Sequence, residues 1–450
     1  QDWTAWDVLQ ACLNANGYSY VGSGSYVSAL TDPNGVTLGE LAHGEMSGWL
    51  FTVNGVMVDT VISGTYVHSG DVIEFYYSAA GMPDQPTDPT EPGGVPEALE
   101  KIYELTKEHM EQTVTDPEVG NIGGEWAIFA MARSGVELPE ELVNSYYAKV
   151  VQYVREHLDE QGRLDRSRST DNSRLILALT ALGIDPRDVD GHNLLQGLSD
   201  MSYVKKQGTN GLIYALLAFD SGKYDTPANG DVTREALIQE ILARQNEDGS
   251  FYLGGVRKTA SVDVTAMALQ ALAPYYQENS QVKDAVDRAL AWLSGQQSEN
   301  GGFASDGSFN AESSAQVVTA LAALGIDAAR DKRFVKSGGS VLDALLRYHQ
   351  GEGVFMHTAN DGADQMATEQ ALYAMAAYVR QQTGRNRLYD MTDAARRTPV
   401  TPIQPVQPAS PGQGSVQTGD GESPVLWLGM SVVCLLGAAA VLRRKKETQK

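Results

Sequence analysis

The sequence has 450 residues, of which 42% are hydrophobic and 20% charged, and its formal net charge at pH 7 is −23. A chain of this length exceeds the size of most single cores, so more than one domain is expected. The acidic balance excludes a nucleic-acid partner, because a polyanion would be repelled and no face rich in Lys or Arg precedes the last residues.

The sequence contains two cysteines, Cys12 and Cys434. Their number and setting exclude a disulfide framework and a zinc site of the Cys/His type. The histidines are scattered without metal-ligand spacing, so no metal is expected. Cys12 lies in an amphipathic stretch, where we expect a small buried hydrophobe.

Residues 1–81 predict a small α+β module. A helix is expected from Ala5 to Asn14, followed by β-type runs at 48–53, 58–62 and 71–77. Asn54 and Gly55 separate two of these runs, and this dipeptide is a strong hairpin signal. The runs from Ser47 to Gly55 and from Gly70 to Ile73 resemble the β domain shared by transcobalamins, intrinsic factor and many bacterial surface proteins. The resemblance implies a β-grasp-like module.

Four residues of this module are candidates for ligand contact, namely Trp49, Phe51, Asn54 and Tyr76. Alternation along a strand puts Trp49 and Phe51 on one face. That face either packs on the module's own core or forms an apolar platform for a ligand.

Two polar stretches rich in proline divide the chain, at residues 82–95 and 391–414. Their composition predicts extended linkers. The second is typical of a spacer that holds a domain away from a cell wall.

Residues 96–390 predict a repeated pair of helices. The loops Gln245 to Phe251, Gln297 to Phe303 and Gln350 to Phe355 share one pattern of glutamine, acidic residue, glycine and aromatic residue. Residues 158–164 form a degenerate copy. Each loop follows an amphipathic helix and precedes a helix rich in Ala and Leu. The spacing gives about six pairs in a mainly α domain.

The terminal repeats are as apolar as the central ones, which favours a closed ring over an open stack that needs polar capping repeats. Helices that are apolar all round suit an inner ring covered by outer helices. The loop pattern resembles the repeat of squalene cyclases and protein prenyltransferases, whose superfamily includes the helical domain of the transcobalamins. The resemblance implies an (α/α)6 toroid.

The chemical motifs of that superfamily are missing. The region 96–390 has no cysteine for the prenyltransferase zinc, and Ser261 to Val264 offers a single carboxylate where a cyclase has a cluster of acids. The resemblance therefore predicts the fold and gives no activity.

Polar residues recur where the inner helices are expected to begin, and the ring topology would gather them around one mouth. The predicted site residues of this region are Glu125, Trp126, Asp171, Asn172, Asn210, Tyr214, Asp263, Glu312, Gln365 and Glu369. Each polar member is either a helix cap or part of a binding rim. Trp126, Tyr214 and Tyr373 either pack in the core or form apolar walls.

The last residues predict a surface anchor. The apolar run 425–442 has the length of a transmembrane helix, and the basic run 443–446 places its C-terminal end in the cytoplasm. Thr418 and Gly419, followed by the span and the basic stop, resemble a sortase sorting signal, although Ser415 and Val416 replace its Leu-Pro. No signal peptide is visible at Gln1, so the sequence is expected to be trimmed at its start or to be a fragment.

The combination of the two modules resembles the cobalamin carriers. It implies a monomeric, non-catalytic receptor on a Gram-positive cell surface that holds a corrinoid, or another bulky amphipathic ligand, between the two and needs no other cofactor. One alternative is a surface glycan-active enzyme, a glycoside hydrolase or polysaccharide lyase, that uses Asp171, Asp263, Glu312 or Glu369. Another is an adhesin.

Overall fold

The computed structural model describes residues 3–42, 47–53, 56–57, 61–67, 71, 73–78, 94–305 and 307–399. The chain divides into two compact units, Gln1–Gly93 and Gly94–Lys450. Among the described residues no helix is long and apolar enough to cross a membrane. The predicted span at 425–442 and the predicted cleavage residues Thr418 and Gly419 lie outside them.

The first unit combines one helix with short antiparallel strands. The elements are α1 (Ala5–Ala15), β1 (Trp3–Thr4), β2 (Ser19–Ser23), β3 (Tyr26–Thr31), β4 (Thr37–Gly39), β5 (Gly48–Val53), β6 (Val56–Met57), β7 (Tyr66–Val67) and β8 (Ile73–Ser78). The strands pair in the orders β2-β3-β4, β6-β5-β8 and β1-β7. This confirms the prediction of a small β-containing module.

Helix α1 begins at a capping box. The Thr4 side chain accepts a hydrogen bond from the Asp7 backbone, and Asp7 accepts one in return from Thr4. The helix buries Leu9 and Leu13, which are one turn apart, against Val27 and other residues of the sheets. The expectation that Cys12 is buried is wrong, because its position next to Leu13 turns it away from this stripe and leaves it exposed.

The described part of the second unit is mainly helical, as predicted. Its helices are α2 (Glu97–Thr113), α3 (Glu125–Ser134), α4 (Glu140–His157), α5 (Ser169–Ala181), α6 (Met201–Val204), α7 (Gly208–Ser221), α8 (Arg234–Leu242), α9 (Val262–Leu272), α10 (Ser280–Gln296), α11 (Ala311–Ala323), α12 (Val341–Leu346) and α13 (Gln365–Gln382). Short hairpins occupy several connections: β9 (Phe251–Tyr252) with β10 (Ala260–Ser261), β11 (Ala304–Ser305) with β12 (Ser308–Phe309), β13 (Val335–Lys336) with β14 (Gly339–Ser340), and β15 (His349–Gly351) with β16 (Val354–Phe355).

The odd-numbered helices from α3 to α13 form a closed inner ring. Each packs against the next, and α13 packs against α3 to complete the circle. Their residues are buried almost all round, whereas α4 and α10 bury a single stripe, as outer helices do. The outer elements are α2, α4, α6 with the 3-10 turn before it, α8, α10 and α12.

The repeated loop pattern has a direct structural cause. The side chain of Gln297 donates hydrogen bonds to the carbonyl oxygens of Gly301 (2.8 Å) and Phe334 (2.9 Å), which ties its loop to the next connection. Gly301 has a positive φ of 83°, a backbone conformation that glycine adopts without strain. Phe303 is fully buried beneath the loop. Gln245 makes the equivalent bonds one repeat earlier.

Residues 383–399, the C-terminal segment, cover the end of the ring at which the inner helices finish. The Tyr389 ring stacks on Phe129 with centroids 5.2 Å apart. The Met391 backbone nitrogen donates to Ser221 at the end of α7, and that of Arg397 donates to Gly183, just after α5. The segment therefore continues to pack beyond residue 390, where the sequence predicted the ring to stop.

We expect Gly183→Ala to destabilise the protein by more than about 2 kcal/mol. Gly183 has a φ of 74°, and an added Cβ would overlap the carbonyl oxygen of Ala395. Gly325 follows α11 in the same left-handed conformation, with nothing within 4 Å of an added Cβ. Gly325→Ala is thus a matched control that should cost only about 1 kcal/mol of backbone strain. Urea unfolding measures both, and equal losses would contradict the tight contact with the C-terminal segment.

Candidate functional site

The predicted rim residues all lie in the first two turns of the inner helices, at the end that we call the mouth. Glu125 begins α3, Asp171 and Asn172 lie in the first turns of α5, and Asn210 lies in α7. Asp263, Glu312 and the pair Gln365 and Glu369 lie near the starts of α9, α11 and α13. Helix N-termini favour negative charge, so the topology itself gathers carboxylates here.

Two of these carboxylates hold the loop between α2 and α3. Glu125 accepts hydrogen bonds from the Gly120 backbone nitrogen at 3.0 and 3.1 Å. Glu369 accepts one from the Gly123 backbone nitrogen at 2.8 Å and one from Gln365 Nε2 at 3.1 Å. Glu369 is only 1% exposed. The pair ties the first inner helix to the last.

Burial raises the pKa of Glu369 from its ordinary 4.5 to about 7. The hydrogen bonds from Gln365 and Gly123 oppose this rise, and the charge of Glu125 adds to it. Glu369 therefore keeps its proton to a higher pH than an ordinary glutamate does.

Glu312 lines a cavity of about 370 Å³, which we call the acid cavity. Its walls also include His357, Asp364, Met366 and the loop 361–363. Asp364 caps α13, its Oδ1 accepting a hydrogen bond from the Ala367 backbone nitrogen at 2.8 Å. The volume is within the range of small-ligand sites, and four of the lining residues are ionisable, namely Glu312, His357, Asp361 and Asp364.

Glu312 and His357 are joined by a hydrogen bond at the wall of the acid cavity. His357 Nδ1 lies 2.8 and 2.9 Å from the two carboxylate oxygens. The Glu312 side chain is 12% exposed and that of His357 is 40% exposed. Burial raises the pKa of Glu312 despite the contrary effect of His357, and the charge of Asp364 contributes to the rise. The hydrogen bond to Glu312 raises the pKa of His357.

Asp171 and Asn172 serve the structure of the ring. Asp171 forms ion pairs with Arg168 and Arg174, each at 3.0 Å. Asn172 is fully buried, and its amide accepts from the Leu164 backbone and donates to two carbonyl oxygens. Thr265 and Thr368 accept the equivalent bonds in later repeats. Asn172 therefore has a structural role, since both its amide oxygen and its amide nitrogen are hydrogen-bonded within the ring.

The aromatic residues predicted near the mouth pack against one another inside the ring. The Trp126 ring lies 5.6 Å from Tyr214 and 6.1 Å from Tyr373, measured between centroids. The Tyr214 hydroxyl donates to Met267, and the Tyr373 hydroxyl lies in a buried network with Gln316 and Gln370. Asn210 is also buried, and its Oδ1 has no partner among the described residues. These rings fill the core instead of lining an open apolar cleft.

In the small module, Trp49 and Phe51 are half-buried and pack on the module's core. Trp49 stacks on Phe75 with centroids 5.3 Å apart, and its indole nitrogen donates to the carbonyl oxygen of Leu38. Tyr76 pairs with Leu50 and so lies on the opposite face of the sheet from Trp49. Asn54 lies outside the described residues.

Sequence reasoning missed His357 and Asp364. His357 follows β16 in an irregular connection, and no periodic pattern marks it. Asp364 stands directly before α13, and its position as an N-cap could have been found from the apolar helix that follows. Among the described residues no group of three or more His, Cys, Asp or Glu side chains is arranged to hold a metal ion.

Comparison with known proteins gives a family for the first unit. Residues 2–79 match the model of a domain of unknown function, DUF4430. The match covers less than half of the chain and leaves the ring unassigned. No curated protein matches the sequence.

The ring is similar to several solved α/α toroids. They include unsaturated glucuronyl hydrolase from Bacillus sp. GL1, described as responsible for the degradation of glycosaminoglycan (12% identity, TM-score 0.44, covering 66% of this chain and 98% of that one). The unsaturated glucuronyl hydrolase from Streptococcus agalactiae is similar (10%, 0.42, 62% and 91%). So is ent-copalyl diphosphate synthase from Streptomyces platensis (19%, 0.38, 58% and 50%). Likeness at these levels says nothing of the reaction.

The interpretation as a non-catalytic corrinoid receptor is wrong. The physical reason lies in the mouth. The aromatic residues of the mouth pack against one another in the core, and the lining of the acid cavity includes acidic side chains and a histidine.

We expect Glu369→Gln to remove part of the pH dependence of stability. The pKa of Glu369 is raised to about 7, so the folded state keeps a proton that the unfolded state releases above about 4.5. The free energy of unfolding therefore falls as the pH rises between these values, by on the order of 2 kcal/mol. Urea unfolding from about pH 5 to 8 should show a flatter profile for the variant.

The matched control for this variant is Glu111→Gln, since Glu111 is an exposed glutamate on α2. Its profile should follow that of the native sequence. A Glu369→Gln profile as steep as the native one would contradict the raised pKa.

Proposed function

We propose that the protein is a glycoside hydrolase whose acid and base are Glu312 and Asp364. The observation on which the proposal rests is that these two carboxyl groups line one cavity and have different partners, His357 for Glu312 and the backbone at the start of α13 for Asp364. Pairs of carboxyl groups with unequal environments are the basis of acid and base catalysis in glycosidases.

Glu312 is suited to the role of general acid. Burial and the neighbouring charge of Asp364 raise its pKa, so it keeps its proton to a higher pH than an ordinary glutamate. In the proposed reaction Glu312 donates this proton to the glycosidic oxygen as the bond from that oxygen to the anomeric carbon breaks. The leaving sugar departs as a neutral alcohol.

Asp364 takes the second role. Its Oδ1 is held by the backbone at the start of α13, which fixes the position of the carboxylate in the wall of the cavity. It acts on the anomeric carbon directly as nucleophile, or removes a proton from the water that attacks that carbon, according to the separation of the two carboxyl groups. The reaction needs no cofactor.

His357 sets the protonation of the acid. Its ring nitrogen at 2.8 Å favours the ionised form of Glu312 and so limits the rise in the pKa of that residue. The exposed part of the ring also offers a donor to substrate hydroxyl groups at the cavity entrance.

We also propose that the enzyme acts outside the cell. The support comes from the sequence, in which the apolar run 425–442 is followed by the basic run 443–446 and preceded by the sortase-like Thr418 and Gly419. The Pro-rich stretch before them would hold the ring away from the wall. On this proposal the transcobalamin-type first unit is an accessory module.

The first test is hydrolysis of a panel of glycans that includes glycosaminoglycan fragments. The release of reducing ends measures the reaction. We expect Glu312→Gln and Asp364→Asn each to lower kcat about 100-fold or more on any glycan that is cleaved. Asparagine caps helices as well as aspartate does, so the second variant should keep its stability. Asp200→Asn changes another N-cap carboxylate, outside the cavity, and should keep full activity. Cleavage of no glycan, or full activity of both variants, would refute the assignment.

The second test is the pH profile of His357→Asn. Because His357 lowers the pKa of Glu312, its removal should raise that pKa and move the alkaline limb of kcat to higher pH. An alkaline limb that moves to lower pH would be inconsistent with Glu312 as the acid.

A further inference from the structure

A second cavity of about 370 Å³ lies at the covered end of the ring, opposite to the mouth. It is formed between the ends of α3, α5 and α13 and the C-terminal segment. Its lining includes four arginines: Arg133, Arg380, Arg385 and Arg397. We call it the arginine cavity. In a chain with a formal net charge of −23, such a local concentration of positive charge needs an explanation.

Arg133 and Arg380 form the rigid base of the cavity. They are 4% and 6% exposed. Arg133 donates to the carbonyl oxygens of Leu388 (2.7 Å) and Arg387 (3.0 Å), and Arg380 donates to that of Asn386 (2.8 Å). These bonds satisfy the guanidinium donors, but neutral carbonyl groups do not balance the charge.

One carboxylate offsets this charge. Asp393 pairs with Arg133 at 2.7 Å and also with Arg380. It is the sole acidic side chain among the described residues that line the cavity. Burial lowers the pKa of Arg133 and the charge of Arg380 lowers it further, while Asp393 and Asp390 offset part of the fall.

Arg385 and Arg397 complete the cavity from its exposed side. Neither guanidinium pairs with a carboxylate among the described residues, and the Arg397 guanidinium donates one long hydrogen bond, 3.4 Å, to the carbonyl oxygen of Leu138. Arginine side chains bind carboxylate and phosphate groups through paired, charge-assisted hydrogen bonds. Arg385 and Arg397 line the exposed side of the cavity, where they can bind such a group next to the positively charged Arg133 and Arg380.

We propose that the arginine cavity is a binding site for an oxyanion, a phosphate or carboxylate group borne by a small molecule. The anion bonds to Arg385 and Arg397 and balances the charge of Arg133 and Arg380. The site is separate from the acid cavity, and no lining residue is shared. Since the C-terminal segment forms one wall, a bound anion also fastens that segment to the ring.

Calorimetric titration of the full chain in a nonionic detergent, with sodium phosphate and with sodium citrate against a sodium chloride reference, tests the proposal. We expect one of the two anions to bind at a single site. Binding of phosphate indicates a phosphate ligand, and binding of citrate indicates a carboxylate ligand. Arg385→Gln with Arg397→Gln should weaken that binding about tenfold or more, as expected for the loss of charge-assisted hydrogen bonds. Both residues are exposed, so the double variant should fold.

Arg330→Gln with Lys332→Gln is the matched control, since it removes the same charge from exposed residues after α11, outside the cavity. It should bind as the native chain does. No binding of either anion, or an equal loss in the control, would overturn the proposal; an equal loss would mean that the anion only screens surface charge.

Thermal unfolding gives an independent readout. Asp393→Asn removes the carboxylate that both buried arginines share, so the Tm of this variant should be lower than the native Tm. The anion that binds should raise the Tm of the variant by more than it raises the native Tm. The same anion should leave the Tm of the Arg385 and Arg397 double variant nearly unchanged. A rise in the double variant equal to the native rise would also contradict the site.

Discussion

The inner helices have almost no polar face, and a helix of this kind is stable in water only when other helices surround it. Five of the contacts between neighbouring inner helices join one inner helix to the next along the chain, and the sixth joins the last, α13, to the first, α3. That last contact covers the flanks that an open stack would expose at its two ends. The closed ring is therefore the condition on which the burial of every inner helix depends.

Closure also decides where charge can be placed. All inner helices begin at one end and finish at the other, so their dipoles are parallel. Carboxylates such as Glu125 and Glu312 lie where the helices begin, whereas Arg133 and Arg380 lie where α3 and α13 finish. The two ends of the ring thus differ in chemistry as well as in shape. One end has an acidic site beside a histidine, and the other has arginines beneath a segment of chain.

The helical ring could be predicted because its signals are local and repeated. Gln245 and Gln297 each donate to the glycine carbonyl oxygen four residues later, and the aromatic residues Phe251, Phe303 and Phe355 are all fully buried. The positions of Glu312 and Glu369 followed from the topology once the helix starts were known. Their roles did not follow, because a raised pKa depends on burial and on neighbours such as His357 and Asp364 that belong to distant or irregular segments. Cys12 was misplaced because one residue along a helix turns the side chain by about 100°.

The contact between α13 and α3 constrains the order of folding. These helices are the last and the first of the inner ring, and more than 200 residues separate Glu369 from its hydrogen-bond partner Gly123. Until α13 has been synthesised, the exposed flank of α3 has no partner, and every earlier intermediate has an open apolar edge. Contacts between such distant segments slow folding and expose a chain to aggregation. The apolar edge of the first inner helix therefore stays exposed to aggregation for the whole time needed to produce the last.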